Sequence, residues 1–454
     1  MRTKIYIIIA LLAWIALPVE VSSASLLQSS ATFSVVGTIQ PPTGTYFYTI
    51  SISGSNYVMK NGTTGQTNYQ SPNAAQVINA AIGNLTQDSK ILIKTGTYIL
   101  SGSITATKIN NITLVFEEGA KLFVSNGMNA PAIRLNSVNN WLIQNPTIDG
   151  NNINQAHVPA RAGDEFHGII IRGGSNNQID RANITNTGVS GVYFLSNSNE
   201  PSNNNGVTNS LITYSGWNGI TVWSYGGTQY SVGNYAINNE VSHSGDVGIA
   251  VYGLSTRIEN NNVHDMDGVL GDPKSSPWII GPNTHWGIAV EGGGQSYITK
   301  NNVSNCNEGI HTTFTADSNT ISNNTVNNAQ FGIYITSNNN MVDANNISNI
   351  QNKAIIVTDS NNNTFSDNQL SGIIYVAASS DIRFIDNTVN APNYYGVEIS
   401  SSLRTIIESN TISGYRGINI ANAQCLDTLI KYNDLSGIVN TKISDSGTGT
   451  IIIP

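Results

Sequence analysis

Histidine, carboxylates and tyrosine gather in one stretch of this chain, and together they suit proton transfer. The six histidines are His157, His167, His243, His264, His285 and His311, so none lies beyond residue 311. Three short clusters stand out: Asp164-Glu165-Phe166-His167, His243-Ser244-Gly245-Asp246 and His264-Asp265-Met266-Asp267. A carboxylate, a histidine and a tyrosine held together can take a proton from carbon and return one. On a uronate sugar the C5 proton lies beside a carboxylate, whose charge then needs a neutralising partner. Arg172 or a calcium ion would serve. Hydrolysis would instead need two carboxylates facing one bond, and Asp246 with Asp265, or Asp267 with Glu291, offer that pair. The catalytic candidates are therefore His243, Asp246, His264, Asp265, Tyr214 and Arg172, and lyase or epimerase chemistry is preferred because His and Tyr accompany the carboxylates. A His or Asp in a turn can equally be a turn residue with its hydrogen bonds satisfied. Asp265-X-Asp267-Gly268 begins a calcium-loop spacing but does not complete it. Calcium stays open, and the sequence requires no cofactor. Zinc spacings, phosphate loops and nucleophile elbows do not occur.

These residues need a scaffold, and the repeats supply one. Asn-X-(Val/Ile/Leu) recurs at Asn239, Asn261, Asn301, Asn324, Asn345, Asn368, Asn387, Asn410 and Asn433. The steps are 22, 40, 23, 21, 23, 19, 23 and 23 residues, so all but one lie near 22. Many of these motifs are followed by a glycine and an alternating apolar run, as in Gly219-Ile220-Thr221-Val222, Gly248-Ile249-Ala250-Val251 and Gly417-Ile418-Asn419-Ile420. Short Ile/Val strands of period two between Asn/Gly/Ser turns predict one coil of a parallel β-helix per repeat. The recurring Asn tolerates left-handed backbone angles, and its amide can bond the same Asn one coil away. Turns one repeat apart then stack at ~5 Å, which would bring Tyr214, His243 and Asp265 together. Residues 71–85 read as a short amphipathic helix, opened by Ser71-Pro72, with an apolar stripe of Ala75, Val77, Ile78, Ala81 and Ile82. It is expected to cap the open N-terminal end of the solenoid.

Composition narrows the function. Charged residues are 11% of the 454, against about 25% in an average soluble domain. The net charge of −8 speaks against a nucleic-acid partner. Arg2 and Lys4, the apolar run Ile5 to Leu17 and Val21-Ser22-Ser23-Ala24 read as a signal peptide over residues 1–24. A leader with strands over 25–64 and the solenoid over 65–454 complete the expected organisation. The mature chain is expected to be secreted or at the cell surface, with no membrane span. Cys306 and Cys425 lie about five coils apart, ~24 Å at ~4.8 Å per coil, too far for a disulfide, so two free thiols are expected.

The opening helix, then KILIKTGTYIL at 90–100, ITLVFEEGAKLFV at 112–124, WLIQNPTIDGNN at 141–152 and the Asn/Gly repeats, resembles the pectate-lyase-like superfamily. The resemblance implies an all-β fold, a right-handed parallel β-helix solenoid, with a long outer groove for acidic polysaccharides. It fixes no activity, because the superfamily includes lyases, hydrolases, epimerases and non-enzymatic surface proteins. The hydrolase set of Asn-Thr-Asp, Asp-Asp, Gly-His-Gly and Arg-X-Lys is missing, as is the Asp-Pro-His-Asp of mannuronan epimerases.

The outward positions around the recurring glycine give the substrate-binding candidates His167, Tyr193, Trp223, Tyr252, Trp286, Glu291 and His311, with Glu308 beside His311. Aromatic faces suit sugar rings. Further along, Phe331, Tyr334, Ile356, Glu398 and Asn419 make the column look blander. Long loops at 146–166, 196–206 and 266–285 leave the coils that carry the aromatics. An enzyme degrading or modifying an acidic polysaccharide in a groove on coils 165–315 is favoured. The alternative is a non-catalytic adhesive or glycan-binding solenoid. A metal-handling periplasmic protein is a weaker third, for want of a Met/His/Cys cluster.

Overall fold

In each coil a short strand turns at a corner into a longer one, and both stack on their counterparts in the next coil. The computed structural model describes residues 46–85, 88–156, 166–196, 200–224, 230–266 and 285–454. The expected signal peptide, His157, Asp164, Glu165 and Asp267 lie outside them. On one side the three-residue strands Arg257–Glu259, Tyr297–Thr299, Thr320–Ser322, Met341–Asp343, Thr364–Ser366, Arg383–Ile385, Ile406–Glu408 and Leu429–Lys431 pair in parallel, each with the next. On the other side run the glycine-bearing strands, among them Ile169–Arg172, Val192–Ser196, Ile220–Ser224, Val247–Leu254, Trp286–Gly294, Asn302–Thr312 and Thr325–Ile335. They too pair in parallel, coil upon coil. The result is the parallel β-helix that the repeats predict.

Inward positions repeat the same residue types. Ile258, Ile298, Ile321, Val342, Phe365, Phe384, Ile407 and Ile430 form one stack and Ile249, Ile288, Ile310, Ile333 and Ile355 another, all within a single core. Burying each such side chain stabilises by about 1.5–3 kcal/mol. The recurring Asn line one corner. Each amide from Asn239 to Asn410 donates Nδ2–H to Oδ1 of the next Asn at 2.9–3.0 Å, ending at Asn433. A second, shorter ladder of Asn319, Asn340 and Asn363 lines another corner.

The helix spans Ala74–Gly83 and its buried face carries the predicted stripe plus Ala74. It starts later than the Ser-Pro signal implies because the Asn73 side chain caps it, accepting the Gln76 N–H at 3.2 Å. Upstream of it, Tyr48–Ser53 pairs antiparallel with Asn56–Asn61 and parallel with Ser89–Ile93, so these strands continue the sheet. Cys306 and Cys425 are buried free thiols, and burial pushes the Cys306 thiol up to about 12.

Candidate functional site

A glycine sits at one corner of most of the long strands because two coils approach closely there. A Cβ on Gly287 would lie 2.2 Å from Val303 Cγ1 and 2.7 Å from the Gly309 carbonyl oxygen, and Gly219, Gly248 and Gly309 are equally confined. The corner at this glycine also breaks the period of two. Residues one before and two after it both face outward, so Glu308 and His311 share a face although Gly309 and Ile310 between them are buried.

The outward positions read as one column from sequence divide into three. The first runs Val247, Trp286, Glu308, Phe331, Lys353, and His167 occupies the same position, one before its glycine. The second runs Arg134, Ile170, Tyr193, Thr221, Ala250, Ala289, His311, Tyr334, Ile356, Tyr375, Glu398, Asn419. The third begins Asn136, Arg172, Leu195, Trp223. Tyr252 follows, and a register shift between Val251 and Tyr252 pairs it with Gly292. Glu291 is therefore a bulge residue, a local arrangement that re-aims a side chain.

The first two columns meet at one hydrogen-bonded pair. His311 Nδ1 is hydrogen-bonded to Glu308 Oε2, and the two residues are only 8% and 7% exposed. The His311 ring lies 4.5 Å from Trp286 and 4.9 Å from Tyr334, centroid to centroid. The Trp286 indole N–H is buried without a hydrogen-bond partner among the described residues. On the earlier coils Trp223 lies 5.1 Å from Tyr252 and 6.4 Å from Trp217. Burial, then Tyr230 and Glu291, raises the Tyr252 phenol above its ordinary value. The small outward residues Thr221, Ala250 and Ala289 form a floor between the aromatic groups, each at most 2% exposed.

The predicted catalytic residues fall elsewhere. Tyr214, His243 and Asp265 adopt left-handed angles, with φ of 54°, 53° and 54°, in the turn preceding the glycine strand. Asn186, Asn305, Asn328 and Asn349 hold the same conformation on neighbouring coils. The expected stacking is present. The Tyr214 and His243 rings lie parallel at 4.6 Å, and the His243 N–H donates to the Asp265 carbonyl at 3.1 Å. Asp265 Oδ2 meets His264 Nδ1 at 2.8 Å and Oδ1 accepts from Asn305 at 2.6 Å. The His264 hydrogen bond, then that of Asn305, holds the Asp265 carboxyl below the usual range. His264 Nε2 is 3.5 Å from Glu240. Asp246 stands apart, accepting the Trp217 indole N–H at 2.9 Å. Arg172 is not brought to this cluster: it lies at the far end of its strand, level with Trp223 rather than with the turn. His167 is 3% exposed. Its Nδ1 accepts the Ser190 N–H at 3.2 Å, and burial, then Arg134, lowers it to about 3.

Sequence reasoning set Glu308 beside His311 among the sugar contacts but did not read the two as a hydrogen-bonded pair. In a straight strand residues three apart point opposite ways, and only the Gly309 corner puts them on one face. The signal available was a Glu-Gly-X-His run at the glycine position. Lys353, Tyr375, Tyr395 and Arg416, on outward positions of later coils, were missed outright.

A right-handed β-helix region family model matches residues 228–370. The chain is a right-handed parallel β-helix. Solved β-helices similar to it include a mannuronan C-5 epimerase A-module of Azotobacter vinelandii, at 15% identity over 84% of this chain and 96% of that one, TM-score 0.42. The catalytic unit of an alpha-1,3-glucanase from Streptomyces thermodiastaticus is 15% identical over 84% and 66%, TM-score 0.46. PfbA, a surface adhesin of Streptococcus pneumoniae, is 13% identical over 84% and 87%, TM-score 0.43. No curated protein matches this β-helix by sequence.

Proposed function

We propose that this β-helix modifies an acidic polysaccharide by abstracting a proton beside a sugar carboxylate, as a lyase or epimerase, with His311 as the base. The buried Glu308–His311 pair between the Trp286 and Tyr334 rings carries this reading. Glu308 takes the Nδ1–H, which fixes the ring and leaves the Nε2 lone pair as the base. Trp286 and Tyr334 offer faces for a sugar ring, and Trp223, Tyr252 and Glu291 extend the groove toward the earlier coils. Nε2 removes the C5 proton. In a lyase the C4–O bond then breaks, a C4=C5 double bond forms and the leaving oxygen takes a proton, for which the Tyr334 phenol is the nearest candidate. In an epimerase Nε2 keeps that proton and a second group, for which the Tyr334 phenol is again the candidate, delivers one to the opposite face of C5.

The turn cluster of Tyr214, His243, His264 and Asp265 is a second place for the same chemistry, favoured by the ring stack and the His264–Asp265 hydrogen bond. An exported adhesive or glycan-binding solenoid is the reading in which neither centre turns over. Incubation with alginate, polygalacturonate and neutral glucans, followed by unsaturated-uronate absorbance, reducing ends and C5 proton exchange by NMR, tests all three. Absorbance that disappears with His311→Ala supports the proposed centre. Absorbance that survives it and disappears with His243→Ala moves the chemistry to the turn. No signal in any assay leaves binding alone.

A further inference from the structure

Beyond the reacting centre the second outward column continues, the first passes from Lys353 to the buried Ile373 across a register shift, and the character of the face changes. Two coil steps past Glu308, Lys353 follows Phe331. Its ammonium lies over the Tyr375 ring at 4.7 Å. Two coils on, Tyr395 pairs with Arg416, whose guanidinium lies 5.2 Å from both the Tyr395 and the Tyr415 ring. Tyr394 and Tyr415 stand 64% and 40% exposed beside them. From Lys353 to Arg416 is three coil steps, about 14 Å at roughly 4.8 Å per step.

Two further observations separate these cations from the others that lie over aromatic rings. Lys121, over Phe123, and Lys431, over Tyr432, each also sit in an ion pair. Among the described residues Lys353 and Arg416 have none, and Arg416 Nε is buried with no hydrogen-bond partner. In a chain of net charge −8, two cations held on tyrosine faces without an ion pair, three coil steps apart on the glycine-strand face, are a local exception. A guanidinium held beside aromatic rings presents a fork to a carboxylate, and an ammonium over a ring presents a point charge. Glu398 is the one carboxylate on this stretch of the two columns, level with Tyr375 and Asn419. It suits a sugar hydroxyl.

We propose that Lys353, Tyr375, Tyr395, Arg416 and Tyr415 form a separate binding platform for anionic polysaccharide, one that holds the polymer independently of the Glu308–His311 centre. The cations neutralise carboxylates on successive sugars and the tyrosine rings stack on the sugars between them. The platform rests on the reading of the protein as polysaccharide-active, but not on where or whether turnover occurs.

Binding of the full chain carrying His311→Ala to alginate, to polygalacturonate and to their carboxyl-reduced neutral forms tests this, by affinity electrophoresis at low and high salt. The acidic polymers are expected to bind and the neutral ones not, with a dissociation constant that rises with salt. Lys353→Ala with Arg416→Ala should weaken binding at least tenfold. Arg416→Gln and Tyr415→Ala, which keep most of the local packing, should each weaken it about threefold or more if the double variant fails to fold. Unchanged binding in the variants, equal binding of the neutral polymers, or no binding by the parent overturns the platform. Loss of binding in the variants upholds it even where His311→Ala leaves turnover intact, which would overturn only the catalytic reading.

Discussion

Two edges of the same coils follow opposite rules. At the inner corner from Asn239 to Asn433 one residue type recurs on every coil, and each member bonds the next. On the outer face of the glycine strands Val247, Trp286, Glu308, Phe331 and Lys353 succeed one another without repetition. A corner buried between coils has one best solution, because every amide must find a partner. The outward face has no such repeat imposed on it by folding, so its variety points to a ligand. The turn column lies between these extremes: Asn305, Asn328 and Asn349 obey the first rule, while Tyr214, His243 and Asp265 break it.

The largest effect expected from breaking the outer face is on turnover. His311→Ala and Glu308→Gln should each reduce the specific rate of the folded protein on the responsive polymer about 10³-fold, within the range for removal of a positioned acid or base, and His311→Ala, which leaves the buried Glu308 carboxyl without its partner, should also lower the melting temperature. His243→Ala should cost less than tenfold. Reversal of that order in initial-rate measurements would show that the turn column, not the glycine strand, carries the reaction.

Breaking the inner edge should do the opposite. The Asn324 amide donates to the Ile298 carbonyl and to Asn345 Oδ1, and its own oxygen accepts from Asn301. Asn324→Ala leaves several buried groups unpaired, at roughly 1–3 kcal/mol each. We expect a loss of about 3 kcal/mol or more in urea denaturation, while the specific activity of the folded fraction holds.

The face also carries a buried neutral histidine with a predictable pH signature. His167 has a folded-state value of about 3 against an ordinary 6.5. Between those values the unfolded chain binds the extra proton, so stability falls as pH falls from about 6.5 toward 3. The slope is at most about 1.4 kcal/mol per pH unit. His167→Gln should flatten that part of the stability curve, and an unchanged slope would mean that the imidazole is protonated in the native state.

These contrasts explain what was legible in the sequence. The inner ladder was readable because its spacing is its cause: Asn every 22 or so residues is what the corner demands. The stacked turn was readable for the same reason, and Tyr214 does lie on His243. The three outward columns were not readable as separate, because a glycine corner and the bulge at Glu291 alter which side chains share a face. Glu308–His311 and the Lys353–Arg416 stretch both depend on that local geometry. The helix start shifted for a related reason, one Asn73 side chain outweighing the Ser-Pro signal.

The smallest predicted effect bears on whether the exceptional turn residues are there for folding. A bulky side chain in the left-handed region is disfavoured relative to Asn, by an amount on the order of 1 kcal/mol. Tyr214, at φ 54°, bears that cost where Asn186 on the preceding coil does not. Its stack on His243 returns part of it. Tyr214→Asn should therefore raise stability slightly, by up to about 1 kcal/mol in urea denaturation. If activity stays level as stability rises, Tyr214 is a tolerated variant of the Asn turn. If activity falls as stability rises, the strain is kept for function, and the turn cluster takes part in the work of the outer face. A loss of stability would mean that the ring stack outweighs the backbone cost, so that even this irregular stretch of the turn column is held by contact between coils.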